Sequence, residues 1–447
     1  SVSGGKYYGG IPSIDSIDQI SVDNVLEGGY ENLSCDSSFD CAENPFDSNT
    51  LKYKILSDNC VFPDDIRSTF VSNENGIDFT KSNDSCYFYE DSNNNYQRCD
   101  SNGKNNNGKG VYYATDSNMT EGGETVYYYR GNINNNYVVF SGYCWKIVRT
   151  TEDGGIRLFY WGNASSNNTC SNNASPIAYS RFNNTYGDNS YIGYMMGLNN
   201  SCTAGSCLGS SNSTSYNQAH SNTYNSTIKK VIDAWYTGNN ATQVDCYAYG
   251  ETTCNFSQLD WKLSNSSYLI SDTPYCNDRT VAPGRELYEI TFTTLGYGTN
   301  ATLYNVVTRL GLGNTSYYSD NNNNPSFVCS RKNDKFTVSN NDGNRSLTYP
   351  VGLITSDEVI FAGGSSYYNN NQTHYLVTNE TYWTMSPHGY HNQMSAVNIV
   401  YSDGALDSAF EVSEELAVFP VITLNPSVRV LPSGTGTTSK PYIIAID

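Results

Sequence analysis

The chain is 447 residues long, and its 44 acidic and 25 basic side chains leave a formal charge of −19. That balance excludes partners recognised through clustered Lys and Arg, namely nucleic acid and anionic membrane surfaces. Only 15% of residues are charged while 13% are aromatic, so polarity comes from amides and hydroxyls; an acidic disordered chain, poor in aromatic residues, is excluded too.

In chain order, residues 1–47 read as an acidic, turn-rich extension and 48–125 as a disulfide-rich N-terminal region with a short helix over Leu51–Leu56. From 126 to 447 the texture is β-rich, with room for two subdomains parting near 270–345. Strands are predicted at Val126–Arg130, Tyr137–Phe140, Cys144–Arg149 and, after the turn Glu152-Asp153-Gly154-Gly155, at Ile156–Tyr160. Ile228, Val231, Ile232 and Trp235 recur at helical spacing, with Asn225 or Ser226 as N-cap and Gly238 as stop. A second helix is predicted through Leu303, Val306, Val307 and Leu310, and a third, short one is capped by Ser356. Further strands are predicted at Tyr382–Met385, Ala396–Tyr401 and Val418–Leu424. There is no apolar run of transmembrane length, so membrane insertion of the mature chain is not expected. The opening Ser-Val-Ser-Gly-Gly reads as a processed start.

Thirteen cysteines are present and none forms a C-x-x-C pair, which disfavours zinc and thioredoxin-like redox chemistry. Oxidised cysteines in an extracellular compartment are expected. Sequence does not fix their connectivity. The pairings favoured are the short loops Cys35–Cys41, Cys202–Cys207 and Cys246–Cys254, with Cys144–Cys170 and Cys276–Cys329 spanning more chain. An odd count leaves a thiol free or paired between chains.

Eighteen Asn-x-Ser/Thr sequons occur, at Asn32, Asn83, Asn118, Asn163, Asn167, Asn173, Asn183, Asn199, Asn212, Asn225, Asn240, Asn255, Asn265, Asn300, Asn314, Asn344, Asn371 and Asn379. In so Asn-rich a chain roughly a dozen arise by chance, but ten of the 18 crowd between Asn163 and Asn265. N-glycosylated surface loops are the expectation.

The catalytic inventory is thin. Gly103 to Gly110 has phosphate-loop spacing around Lys104 and Lys109, yet lacks the Ser/Thr that holds magnesium and a preceding apolar strand. His388 and His391, beside Pro387 and Gly389, read as a loop without further ligands. Asp91–Asn95 and Asn340–Asn344 hold fragments of calcium loops, so calcium is the one cofactor left open; none is required. Asp233, Asp260, Asp357 and Glu358 are the carboxylates available for sugar hydrolysis, and Asp357-Glu358 already has a role at a helix N-terminus. No nucleophile elbow or His-Glu-x-x-His occurs. Tyr and Trp in Asn-rich loops suit contact surfaces, although many of the 39 tyrosines must be core.

Several blocks, in order, resemble a family of secreted proteins of gut Firmicutes and related bacteria with a C-terminal C-type-lectin-like domain. They include Leu51–Asn59, Val126–Gly131, Asn135–Phe140, Cys144–Thr150, Ile228–Tyr236, Cys276–Arg279, Tyr349–Ile354, Trp383–Pro387 and Phe419–Leu424, covering about 50–447. The resemblance implies an α+β, β-rich, C-type-lectin-like fold with long variable loops. Family members carry Arg where Phe419 stands, and the calcium triplet of sugar-binding lectins is missing, so the fold is implied without lectin activity. The formylglycine-generating enzymes of this fold need a cysteine pair that this chain does not match. The expectation is therefore a non-catalytic extracellular glycoprotein, a subunit of a cell-surface filament, pilus-like fibre or lattice whose partners are copies of itself. The alternatives are an adhesin for glycans, proteins or a host surface and, last, an enzyme of formylglycine-generating type.

Overall fold

The computed structural model of the chain describes residues 50–58, 72–73, 76–77, 87–89, 96–98, 110–114, 117–198, 213–241, 246–247, 254–282, 286–287, 290–291, 295–312, 324–366 and 374–446. Residues 1–47, the Cys35–Cys41 and Cys202–Cys207 pairs, loops 91–95 and 103–109, and the sequons at Asn32, Asn83, Asn199, Asn212, Asn314 and Asn371 lie outside the described residues.

Helix α1 (Leu51–Asp58) is followed by strands β1 (Gly110–Ala114), β2 (Val126–Arg130), β3 (Tyr137–Phe140), β4 (Tyr143–Thr150) and β5 (Ile156–Asn163). Then come β6 (Ala178–Ser180), helix α2 (Thr227–Thr237), β7 (Cys246–Tyr247), β8 (Thr302–Leu303), helix α3 (Asn305–Arg309) and helix α4 (Ser356–Phe361). The last elements are β9 (Tyr382–His391), β10 (Met394–Val400), β11 (Leu406–Glu411), β12 (Leu416–Val418), β13 (Val421–Leu424) and β14 (Tyr442–Ile443). Among the described residues they build two seven-stranded sheets. One runs β13-β5-β4-β2-β1 with β3 on β4 and β14 on β3; the other runs β7-β6-β12-β9-β10-β11 with β8 on β9. The architecture is β-rich α+β.

β4 is buried along its whole length and β5 to its last residue but one, as expected of near-continuous apolar strands covered on both faces. Gly154, at φ +84°, makes the hairpin turn between them, where Thr151 and Gly155 are bonded. The predicted strand Val418–Leu424 is two strands in different sheets. Pro420 has no N–H to continue a ladder, and the chain crosses there from β12 to β13. Phe159, Tyr382 and Phe419 close the seam, with ring centroids 5.4–5.5 Å apart.

Ser226 caps α2 and Gly238 ends it in the left-handed region. Its apolar face is fully buried, and Trp235 meets Tyr143 and Tyr160 at 5.3 Å. α3 is shorter than predicted because Leu303 belongs to β8, paired with Gly389. α4 is capped by Thr355, one residue before the predicted Ser356, through a full capping box with Glu358. Its last carbonyls, of Ile360 and Phe361, accept bonds from the Arg130 guanidinium of the other sheet. His388 and His391 lie in strand β9, not in a loop; two register shifts absorb Pro387 and Gly389. Disulfides join Cys144 to Cys170, Cys246 to Cys254 and Cys276 to Cys329.

Candidate ligand-binding cleft

The β4–β5 hairpin carries a cross-strand pair of like charges: Arg149 stands opposite Arg157, and both side chains are buried. Two guanidiniums opposed in a ladder repel. Glu358, in the first turn of α4, is placed between them. Its Oε1 lies 3.1 Å from Arg149 Nε and 3.5 Å from Arg157 Nε, while Oε2 accepts from Thr355 N at 3.1 Å. Burial works against the Glu358 carboxylate, but Arg157, Arg149 and the Thr355 amide outweigh it and hold its pKa below the usual range. Phe327 covers the Arg149 guanidinium, and Tyr275 that of Arg157, at 4.3 and 4.7 Å from the ring centroids.

This buried ion pair is the floor of a cavity of about 340 Å³. Its walls come from distant stretches of chain. Arg309 of α3 pairs with Asp357, whose Oδ1 also accepts from Ser326 N at 2.7 Å. The Cys276–Cys329 disulfide ties the strand at 275–276 to the segment bearing Phe327. Glu121 accepts from Cys329 N and from Lys335 Nζ, at 3.0 and 2.7 Å. Asp153, in the hairpin turn, accepts from Thr151, Gly155, Thr273 and Ser271; these bonds outweigh burial and keep its pKa below normal. In all, seven carboxylates and four cationic side chains line a space large enough for a small ligand.

Of the residues singled out in the sequence, Asp357, Glu358, Cys276 and Cys329 meet here, joined by Asp342 from the Asn-rich loop 340–344. Asp233 does not: it pairs with Lys229 at 2.6 Å along α2. Asp260 is exposed elsewhere. None of the four histidines lines the cleft. Its hydroxyls are committed to structure: Ser326 Oγ donates to Asn118 O, and Ser386 Oγ accepts from Ser356 N. Among the described residues no group of three His, Cys, Asp or Glu side chains is placed to hold a metal ion.

Reading the sequence missed Arg149, Arg157 and Arg309. The available signal was two arginines in strands rich in Val, Ile, Leu and aromatic residues, facing a Thr-x-x-Glu capping box. The sequons divide. Asn118, Asn163, Asn167, Asn173, Asn240, Asn255, Asn265 and Asn379 are exposed, and Asn225, Asn300 and Asn344 are half-buried. Asn183 is a correction: it is fully buried and its Nδ2, the atom a glycan would join, donates to the Tyr191 carbonyl. No helix among the described residues is long and apolar enough to cross a membrane. No protein-family model, no curated protein and no solved structure matches the chain.

Proposed function

We propose that this chain is an extracellular binding protein of C-type-lectin-like architecture, an adhesin that takes its ligand in the Arg149–Arg157–Glu358 cleft. One observation carries the reading: a 340 Å³ cavity most of whose charged groups are held by ion pairs and hydrogen bonds, with a disulfide in its wall. Such a site is preorganised to bind. It offers a catalyst little, since hydroxyl and carboxylate groups lie there without a histidine or another free base. Three disulfides among the described residues favour an oxidising compartment.

Binding is tested with the purified, oxidised chain on glycan and peptide arrays, followed by titration calorimetry. Saturable binding that is lost on rim substitution of Asp342→Asn or Asp278→Asn supports the reading. Binding indifferent to both substitutions rejects it.

A second reading, a subunit of a filament or lattice of identical chains, is favoured by Trp261 and Tyr268. These aromatic side chains are 55% and 56% exposed, as suits a subunit contact. Sedimentation velocity at rising concentration decides it: a monomer throughout removes the filament.

A further inference from the structure

The charges of the cleft do not all cancel, and the remainder has a shape. On the floor, Arg149 spends Nε on Glu358 and Nη1 on Glu152 and the Thr150 carbonyl. Arg157 spends Nη2 on the Pro274 carbonyl. Arg157 Nε stands 3.5 Å from Glu358 without a hydrogen bond. Among the described residues no hydrogen bond reaches Arg149 Nη2 or Arg157 Nη1. The two residues are 5% and 2% exposed and both line the cavity, so these N–H groups open onto it. A buried guanidinium edge left unmatched is costly, and an anionic group with two oxygens is its natural complement.

On the floor Glu358 and Glu152 balance the charge of the two guanidiniums, so N–H donors are left over there rather than charge; at the rim it is negative charge that is left over. Lys335 is matched by Glu121 and Arg309 by Asp357. Asp342 has no partner among the described residues, and Asp278 has only Arg309 at 3.9 Å beyond its own turn bond to Thr280. Seven carboxylates against four cations leave three: Asp153, which is held by the hydroxyl and amide donors of its turn, and Asp278 and Asp342 at the rim, which are the complement of an ammonium group.

We propose that the cleft binds a zwitterion, with an anionic group on Arg149 and Arg157 and an ammonium group on Asp278 and Asp342. An amino acid, free or as the end residue of a peptide, has this chemistry. At about 30 Å³ per water-sized group, the cavity holds one such residue rather than an oligosaccharide. The proposal rests on the cleft being the binding site and adds the class of ligand.

The test is titration calorimetry on the oxidised, full-length protein. The probes are glycine, lysine and 6-aminohexanoate, their N-acetyl and amide derivatives, the dipeptide glycyl-lysine, and glucuronate as a pure anion. At least one zwitterion should bind, and blocking either end should weaken it at least tenfold. Glycyl-lysine against lysine separates a peptide end from a free amino acid. Asp278→Asn with Asp342→Asn should abolish the preference for the ammonium group while leaving the urea midpoint in place. Arg157→Lys, which keeps a cation beside Glu358, should weaken the anionic end tenfold. Glucuronate binding without any zwitterion, lost in Arg157→Lys, overturns the ligand class and leaves the cleft as the site. Array ligands that bind equally to wild type and all these variants overturn both. No binding by any zwitterion, or binding unchanged by blocking its ends, overturns the proposal.

Discussion

Replacing Glu358 with Gln removes one negative charge and almost no volume. The Gln carbonyl can still accept from Thr355 N, so the capping box survives in part. What is lost is the anion shared by two buried guanidiniums, 3.1 and 3.5 Å away. Among the described residues Glu152, 16% exposed, remains as the anion on Arg149, and Arg157 is left with none. Removing one partner of a buried ion pair costs about 3–5 kcal/mol. For contrast, Arg181 and Glu415 stand 3.5 Å apart on the surface, each about a third exposed, and breaking that pair costs roughly 0–1 kcal/mol. Urea unfolding of the oxidised protein at pH 7 measures both. In an Arg149→Met background Glu358→Gln should cost less, with a coupling of about 1–3 kcal/mol. If Glu358→Gln costs no more than Glu415→Gln, or costs the same with and without Arg149, the ion pair does not organise the cleft.

Acid should destabilise the fold steeply. Burial holds His374 at about 4, His388 at about 3 and His220 well below its usual value. These three are neutral in the fold and protonate near 6.5 when unfolded, so their stability is complete above that pH and is lost as pH falls towards the folded values. Three protons give a slope of about 4 kcal/mol per pH unit, and urea midpoints that stay level from pH 7 to 5 would refute the assignment. Opening the Cys276–Cys329 bridge, with its 53-residue separation, should cost about 4 kcal/mol in the chain-entropy model. Equilibrium unfolding of the double Cys→Ser variant measures it, and a loss under 1 kcal/mol rejects a role for the bridge. In a host that N-glycosylates, peptide mapping should find glycan on some of Asn163, Asn167, Asn173 and Asn265 and none on Asn183; occupied Asn183 would contradict its burial.

How far the sequence could be read depended on the range of the interactions involved. α2 was legible because its signals are local: a Ser226 cap, an apolar stripe and a terminating Gly238. The cores of most long strands were legible for the same reason. The cap of α4 was misplaced by one residue because Thr355 and Ser356 are both good caps; the Glu358 partner three positions after Thr355 decides between them. The break at Pro420 was available from proline chemistry, yet seven apolar-rich residues looked continuous. The cleft could not be assembled by reading along the chain. Glu121 meets Lys335, Arg157 meets Glu358 and Arg309 meets Asp357 across 48 to 214 residues, and nothing local ties one to another. The histidine pair was misread because a β-bulge lets Pro387 and Gly389 sit inside a strand.

The hairpin that orders the cleft also sets it apart from the glycan-acceptor loops. Arg149, Asp153 and Arg157 crowd its turn, while Tyr143 and Asn163 mark its open end. From Tyr143 to Arg149 is six residues of strand, about 20 Å. At the open end the exposed sequons Asn163, Asn167 and Asn173 share the loop that Cys170 ties to β4. There too Trp261 lies over Gly142, which at φ +76° has no room for a side chain beneath the indole, and Tyr143 Oη donates to the Trp261 carbonyl. Asn265 follows four residues later, so glycans on these residues would gather around the exposed Trp261. They would leave the charged cleft open, with Asn118 as the exposed sequon bonded to its wall. A contact through Trp261 and Tyr268 therefore competes with glycans at that end of the hairpin, whereas a ligand entering between Arg149 and Arg157 does not. This difference favours the proposed recognition at the turn, where charge is concentrated in a chain that otherwise carries little of it.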